Sequence, residues 1–139
     1  PTIVVVGELT PKHRSFQQRL ENKISKSGLG ARVVFLGKRP GEELPGLFRA
    51  MSLVTALSRN EGFGLTVLEA MASGCAVLAS HAGAWKDIIR EDVDGHLVPC
   101  DDRQAVENKL ARLLAHPDKL ATLGQACRSR VKDRYSIDR

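Results

Sequence analysis

The stretch from Leu53 to Ala79 reads LVTALSRNEGFGLTVLEAMASGCAVLA, and it decides the fold. Leu53 to Leu57 is an aliphatic run of strand length. A polar loop, Ser58 to Gly64, follows, with two glycines around one aromatic. Thr66 to Ser73 has helical character and ends at Gly74, and Ala76 to Ala79 is a second apolar run. A strand, a loop, a helix and a strand in that order imply parallel pairing through a helical crossover.

The same alternation extends outward. Upstream, Ile3 to Val6 is a strand closed by Gly7, and Val33 to Leu36 is another closed by Gly37. Between them Phe16, Leu20 and Ile24 recur every four residues on a polar background, which predicts an amphipathic helix stopped by Gly28 and Gly30. Leu44, Leu47, Phe48 and Met51 predict a short helix before Leu53. Downstream, Trp85 to Arg90 suits a short helix and His96 to Val98 a short strand. Val106, Leu110, Leu113 and Leu114 mark a helix that stops before Pro117. Leu120, Leu123, Cys127 and Val131 mark a last one, rich in Arg and Lys on its other face. The strand runs are solidly apolar, as burial on both faces requires. The expectation is one Rossmann-like α/β domain over residues 1–139, a three-layer αβα arrangement around a parallel sheet, with no internal boundary.

Composition narrows the function classes. The 139 residues are 42% hydrophobic and 27% charged, which is ordinary for a globular domain rather than a disordered chain. Aromatics are 4%, so the core must be aliphatic and base-stacking platforms are disfavoured. The net charge of +5 suits nucleic acid, an anionic leaflet or a phosphorylated ligand, but the excess is spread along the chain, which argues against nucleic acid. Cys75, Cys100 and Cys127 lack CxxC spacing and read as reduced cysteines packed as small apolar residues. His13, His81, His96 and His116 are scattered and suggest no metal site; His81, just after a strand, could reach a cleft. No signal peptide or membrane-spanning run is visible, so the reading is cytoplasmic. Pro1 and Thr2 run straight into the first strand without methionine or lead-in, so the chain reads as a piece of a longer protein.

Open α/β sheets bind ligands at the carboxyl ends of their strands. Here those ends are Gly7-Glu8, Gly37-Lys38-Arg39, Ser58 to Gly64 and Ser80 to Ala84. The third is the most informative. Glycines let a ligand approach the backbone, and the first amides of the following helix are unpaired donors at its positive end. A phosphate fits there. Glu61 in the loop and Glu69 a turn inside the helix could both accept hydrogen bonds from sugar hydroxyls. A glycine pair before a helix is common, however, and a lone helical glutamate is often only solvated.

Glu61-Gly62-Phe63-Gly64-Leu65-Thr66-Val67-Leu68-Glu69 resembles the two-glutamate, seven-spacer motif of retaining glycosyltransferases with the GT-B fold, especially glycosyltransferase family 4. Arg32 to Gly37 resembles the family strand before the base-binding loop, Glu69 to Ser80 its helix-turn-strand, and Asp94 to Val98 the stretch that follows. The likeness covers nearly the whole chain, and among family members it looks most like bacterial lipopolysaccharide-core mannosyltransferases.

The resemblance implies the C-terminal, nucleotide-sugar-binding half of such an enzyme. Glu61 takes hydroxyls of the donor sugar, with the catalytic role, and Glu69 the ribose. The backbone of Gly62, Phe63, Gly64, Leu65 and Thr66 holds the donor sugar and diphosphate, and Leu36, Gly37, Lys38 and Arg39 hold the base. Lys38 and Arg39 read equally well as a solvated pair. The implied reaction transfers a hexose, with mannose from GDP-mannose favoured, to a glycan or lipid-linked acceptor such as lipopolysaccharide core, with retention and without a metal or cofactor. Peripheral contact with the inner face of the plasma membrane is compatible with this.

Three departures stand out. Leu57-Ser58 replaces a proline-serine pair, and Asp87 stands where the family has a longer acid, so Asp87 is given no role. The family's arginine and lysine upstream of the first strand, its acceptor-binding N-terminal domain and its final crossing helix (unless the basic segment around Tyr135 begins it) are not in the chain, which is therefore expected not to turn over alone. A non-catalytic nucleotide-binding regulatory domain is the alternative from another class.

Overall fold

A computed structural model describes residues 1–8 and 10–135. Contacts group the chain into two compact units, Pro1–Leu44 and Pro45–Arg139. In the first, strand β1 (Ile3–Val6) pairs in parallel with β2 (Val33–Gly37), Ile3 opposite Val33 and Val5 opposite Phe35. Helix α1 (Arg14–Lys26) lies between them in sequence, with Leu20 and Ile24 half-buried. Its end is a Schellman turn: the Leu29 amide donates to the Ile24 carbonyl at 3.1 Å and the Gly28 amide to the Ser25 carbonyl at 3.1 Å. Gly28, at φ +67, supplies the left-handed residue this turn requires.

α2 (Leu44–Ala50) starts at the boundary residue and is followed in the second unit by β3 (Leu53–Ala56), α3 (Leu65–Ala72), β4 (Ala76–Ser80), α4 (Trp85–Ile88), β5 (His96–Val98), α5 (Arg103–Leu114) and α6 (Pro117–Tyr135). The strands form a parallel sheet in the order β3-β4-β5, with Leu53 opposite Ala76 and Leu78 opposite His96. Solid apolar runs were expected to be buried on both faces, and β4 meets this completely, all five residues being buried. The first unit departs from it: Ile3 is 54% and Val34 41% exposed. Two strands with one helix in their own unit have too little cover for both faces.

The core is aliphatic around β4, with Val67, Met71, Val77 and Leu78 at 0% exposure and two aromatics, Phe48 and Trp85. α6 lies directly on the α3–β4 turn, since a Cβ at Gly124 would come 2.1 Å from the Gly74 carbonyl oxygen. Pro117 begins α6, where its missing N–H costs nothing. The fully buried Asp94 ties the segment before β5 to α6. Its carboxylate accepts from the Arg90 amide at 2.7 Å and the Arg90 side chain at 2.5 Å, and Arg130 of α6 lies 3.8 Å away.

Of the cysteines, Cys75 and Cys127 are buried as expected, but Cys100 is exposed, because it follows β5 in a surface turn. The Cys75 thiol donates to the Met51 carbonyl at 3.3 Å and the Cys127 thiol to the Asp94 carbonyl at 3.0 Å. Burial pushes Cys75 from about 9 up to about 11, and burial foremost, with the charge of Asp94 adding to it, pushes Cys127 to about 12. A folded-state pKa raised above the unfolded one gives stability that is full below the unfolded value and is lost as pH rises towards the folded one. Urea midpoints should therefore fall between about pH 9 and about pH 11. The fall should be shallower in Cys127→Ala; equal slopes in wild type and variant would contradict the burial argument.

Candidate functional site

Helix α3 begins on a turn that leaves its first amides free. Gly64, its N-cap, sits at φ 74 and no side chain caps the helix. The first helical bond runs from the Leu68 amide to the Gly64 carbonyl at 3.1 Å. The amides of Leu65, Thr66 and Val67 consequently have no acceptor among the described residues. No acidic side chain lies in this first turn, and its free amides at the positive end of the helix can receive an anion. The Glu61 carboxylate closes the turn by accepting from the Gly64 amide at 3.1 Å. Phe63 and Leu65 are 84% and 61% exposed, so the turn offers its backbone rather than packed side chains.

The loops after β3, β4 and β5 emerge at the same edge and are tied to one another. Ser80 Oγ donates to the Ser58 carbonyl. The His81 amide donates to the Val98 carbonyl at 2.8 Å, and the Arg59 Nε–H is shared between the two carboxylate oxygens of Asp101 at 2.8 and 3.0 Å. Gly83 makes the closest approach: a Cβ there would lie 1.8 Å from the Glu61 carbonyl oxygen, and its φ of +47 independently favours glycine. Glu61 is therefore set from two directions, by its own carboxylate bond and by the β4 loop against its backbone. Beneath Gly64, Trp85 and Ile88 of α4 fill the space where a side chain would go, with Ile88 Cδ1 at 2.6 Å from a Cβ built there.

The other sequence candidates fall in separate places. Glu69 is exposed and lines a crevice of about 260 Å³ with Pro45, Arg49, Ala72, Ser73 and Arg128. Neither arginine was singled out from sequence, where each is one basic residue among many. In the first unit, Leu36 and Gly37 end β2, with Gly37 at φ +68 and its carbonyl accepting from the Gly7 amide at 3.0 Å. Lys38 pairs with Glu8 at 3.6 Å and Arg39 with Glu43 at 3.8 Å. The Arg39 Nε is buried with no hydrogen-bond partner among the described residues, so Arg39 is not simply solvated.

His81 lines a cavity of about 610 Å³ with Glu91, Leu97, Val98, Pro99 and Cys100. The histidines are scattered in sequence, but the fold brings His96 to Glu91 and Asp92, with ligand atoms within 4.8 Å of one another. Lys109 Nζ supplies the positive charge of this group, 2.8 Å from Glu91 and 3.6 Å from Asp92. Asp87 is exposed on α4.

The family model of the glycosyl transferases group 1 matches residues 2–130. The lipopolysaccharide core biosynthesis mannosyltransferase LpcC of Rhizobium leguminosarum bv. viciae is 37% identical over 138 residues, 99% of this chain but 39% of that relative. The chain thus spans about two fifths of that protein. Among solved structures, the C-terminal domain of the group 1 glycosyl transferase LpcC from Francisella tularensis superposes with a TM-score of 0.90 at 39% identity, covering 98% of this chain and 70% of that one. HepE of Anabaena, in complex with UDP-glucose, gives a TM-score of 0.85 at 29% identity, covering 97% of this chain and 37% of its own. The fold is that of the Rossmann-like C-terminal GT-B domain.

The two glycines at the edge make opposite predictions. Gly83→Ala drives a methyl into backbone and should lower unfolding free energy by about 1–3 kcal/mol in urea titrations. Gly62→Ala, with nothing within 4 Å, should stay within about 0.5 kcal/mol of wild type. Equal effects would refute the close contact between the two loops.

Proposed function

The chain belongs to the glycosyl transferases group 1 family, and on that premise we propose that residues 1–139 are the donor-binding domain of a retaining hexosyltransferase of family 4 type. The favoured donor is GDP-mannose and the favoured acceptor a glycan or lipid-linked saccharide such as lipopolysaccharide core. The observation that carries the reading is the set of unpaired amides at Leu65, Thr66 and Val67, opened by a glycine turn and framed by Glu61.

Each residue has a role that its chemistry supports. The free amides receive the diphosphate and, as the sugar leaves, stabilise the charge that develops on it. This electrostatic help is already oriented and needs no rearrangement of water. Glu61 accepts hydrogen bonds from hydroxyls of the donor sugar, close to the reacting carbon, with Gly62, Phe63 and Gly64 lending backbone. Glu69 accepts from the ribose hydroxyls, in the crevice that it shares with Arg49 and Arg128. Leu36 and Gly37 give the base an apolar and a backbone contact, and Lys38 and Arg39 flank it; the orphaned Arg39 Nε is a donor suited to a base carbonyl. The mannose preference rests on the Rhizobium relative and the UDP-glucose complex of HepE shows a different donor in a similar fold, so the base and sugar are the parts to test first. The acceptor belongs to the whole enzyme, for which contact with the inner face of the plasma membrane is proposed with it. Among the described residues no helix is long and apolar enough to cross a membrane.

Calorimetric titration with GDP-mannose, UDP-glucose, GDP and UDP tests these roles separately. Glu69→Ala should weaken GDP about tenfold, the loss of a hydrogen-bonded carboxylate. Glu61→Ala should weaken GDP-mannose without weakening GDP. Unchanged nucleotide affinity in Glu69→Ala would remove the ribose role. Wild type that binds nucleotides without regard to the sugar would favour a regulatory nucleotide-binding domain.

A further inference from the structure

Trp85 is the sole tryptophan of the chain and is 1% exposed. Its indole Nε1 is closed off from solvent and has no hydrogen-bond partner among the described residues. A buried donor without an acceptor is unfavourable and rare, because water has been removed and nothing has replaced it. The position of this one is specific. The indole edge that carries Nε1 lies against Gly64: from a Cβ built on Gly64, Trp85 Cδ1 is 3.0 Å away and Nε1 3.3 Å. Gly64 is the N-cap of α3, so the orphaned N–H adjoins the same helix end whose first amides are unpaired. Two independent shortages of acceptors, one on the backbone and one on a buried side chain, meet at one place.

We infer that the Trp85 indole N–H is a further donor for an oxygen of the nucleoside diphosphate, reached when the Gly62–Gly64 turn shifts aside on binding. The tip of the turn is free to move, since Gly62 has nothing within 4 Å of a built Cβ and Phe63 is 84% exposed. Its far end must loosen with it: Gly64 donates to Glu61, accepts from the Leu68 amide and packs on Trp85 and Ile88. An arriving anion offers the Gly64 amide an alternative acceptor and frees the Glu61 carboxylate for the sugar. The indole contributes an N–H and no charge, so it suits a phosphoryl oxygen without competing for a cation.

The inference rests on the donor site proposed above, and one experiment distinguishes the two. With a single tryptophan, nitrogen-15-labelled protein shows one indole N–H resonance. Titration with pyrophosphate, GDP and UDP should shift that proton downfield and slow its exchange with solvent. Trp85→Phe should lose about tenfold in affinity for GDP and pyrophosphate while its affinity for guanosine, which lacks phosphate, is unchanged. An indole resonance that stays put while calorimetry shows GDP binding would overturn the role of Trp85 and leave the donor site standing. Wild type that binds none of these diphosphates would overturn both. If Trp85→Phe does not fold, the wild-type resonance decides alone.

Discussion

Gly83 and the carbonyl of Glu61 lie so close that a single methyl group between them would sit 1.8 Å from the oxygen. This backbone-to-backbone contact joins the most buried part of the second unit to its most chemically exposed part. Gly83 follows β4, whose five residues are all buried. Glu61 opens the turn into α3, and the direction of that turn fixes where the amides of Leu65, Thr66 and Val67 point. The core thereby positions the site without any long side chain as intermediary. Trp85 and Ile88 act from below in the same way, occupying the volume that a residue other than glycine would need at position 64.

The electrostatics of the site follow from what the turn leaves out. Helices are ordinarily capped by Ser, Thr, Asp or Asn, and α5 shows the usual arrangement, the Asp102 carboxylate accepting from the Ala105 amide at 2.9 Å. α3 has a glycine there and no acid in its first turn. An unsatisfied helix end is a poor choice for stability and a good one for holding an anion. The Glu61 carboxylate takes one amide outside the helix and leaves the helical ones open.

Much of this was legible in the sequence where the signal is local. The run Ile3–Val6 and the run His96–Val98 became strands with the expected bounds, because each is a short apolar segment closed by turn residues. The glycine-bearing entry to α3 was recognisable for the same reason. What the sequence hid depends on contacts between distant residues. That Gly83 abuts Glu61, that Asp94 holds Arg90 and Arg130, and that Glu69 shares a crevice with Arg49 and Arg128 could not be inferred from spacing. Nor could the exposure of Ile3 and Val34, since an aliphatic run reads the same whether one face is covered or two. The stretch around Trp85 read as a short helix and as a departure from a family pattern, and neither gave a hint that its indole lies against Gly64.

The central claim is that the open end of α3 receives the diphosphate of a nucleotide sugar. Residue-resolved amide hydrogen exchange, with and without saturating GDP, tests it most directly. The account predicts that Leu65, Thr66 and Val67 slow by about tenfold or more on binding, because free amides gain an acceptor, while amides already paired within α5 do not change. Unchanged exchange at all three under saturation would contradict it.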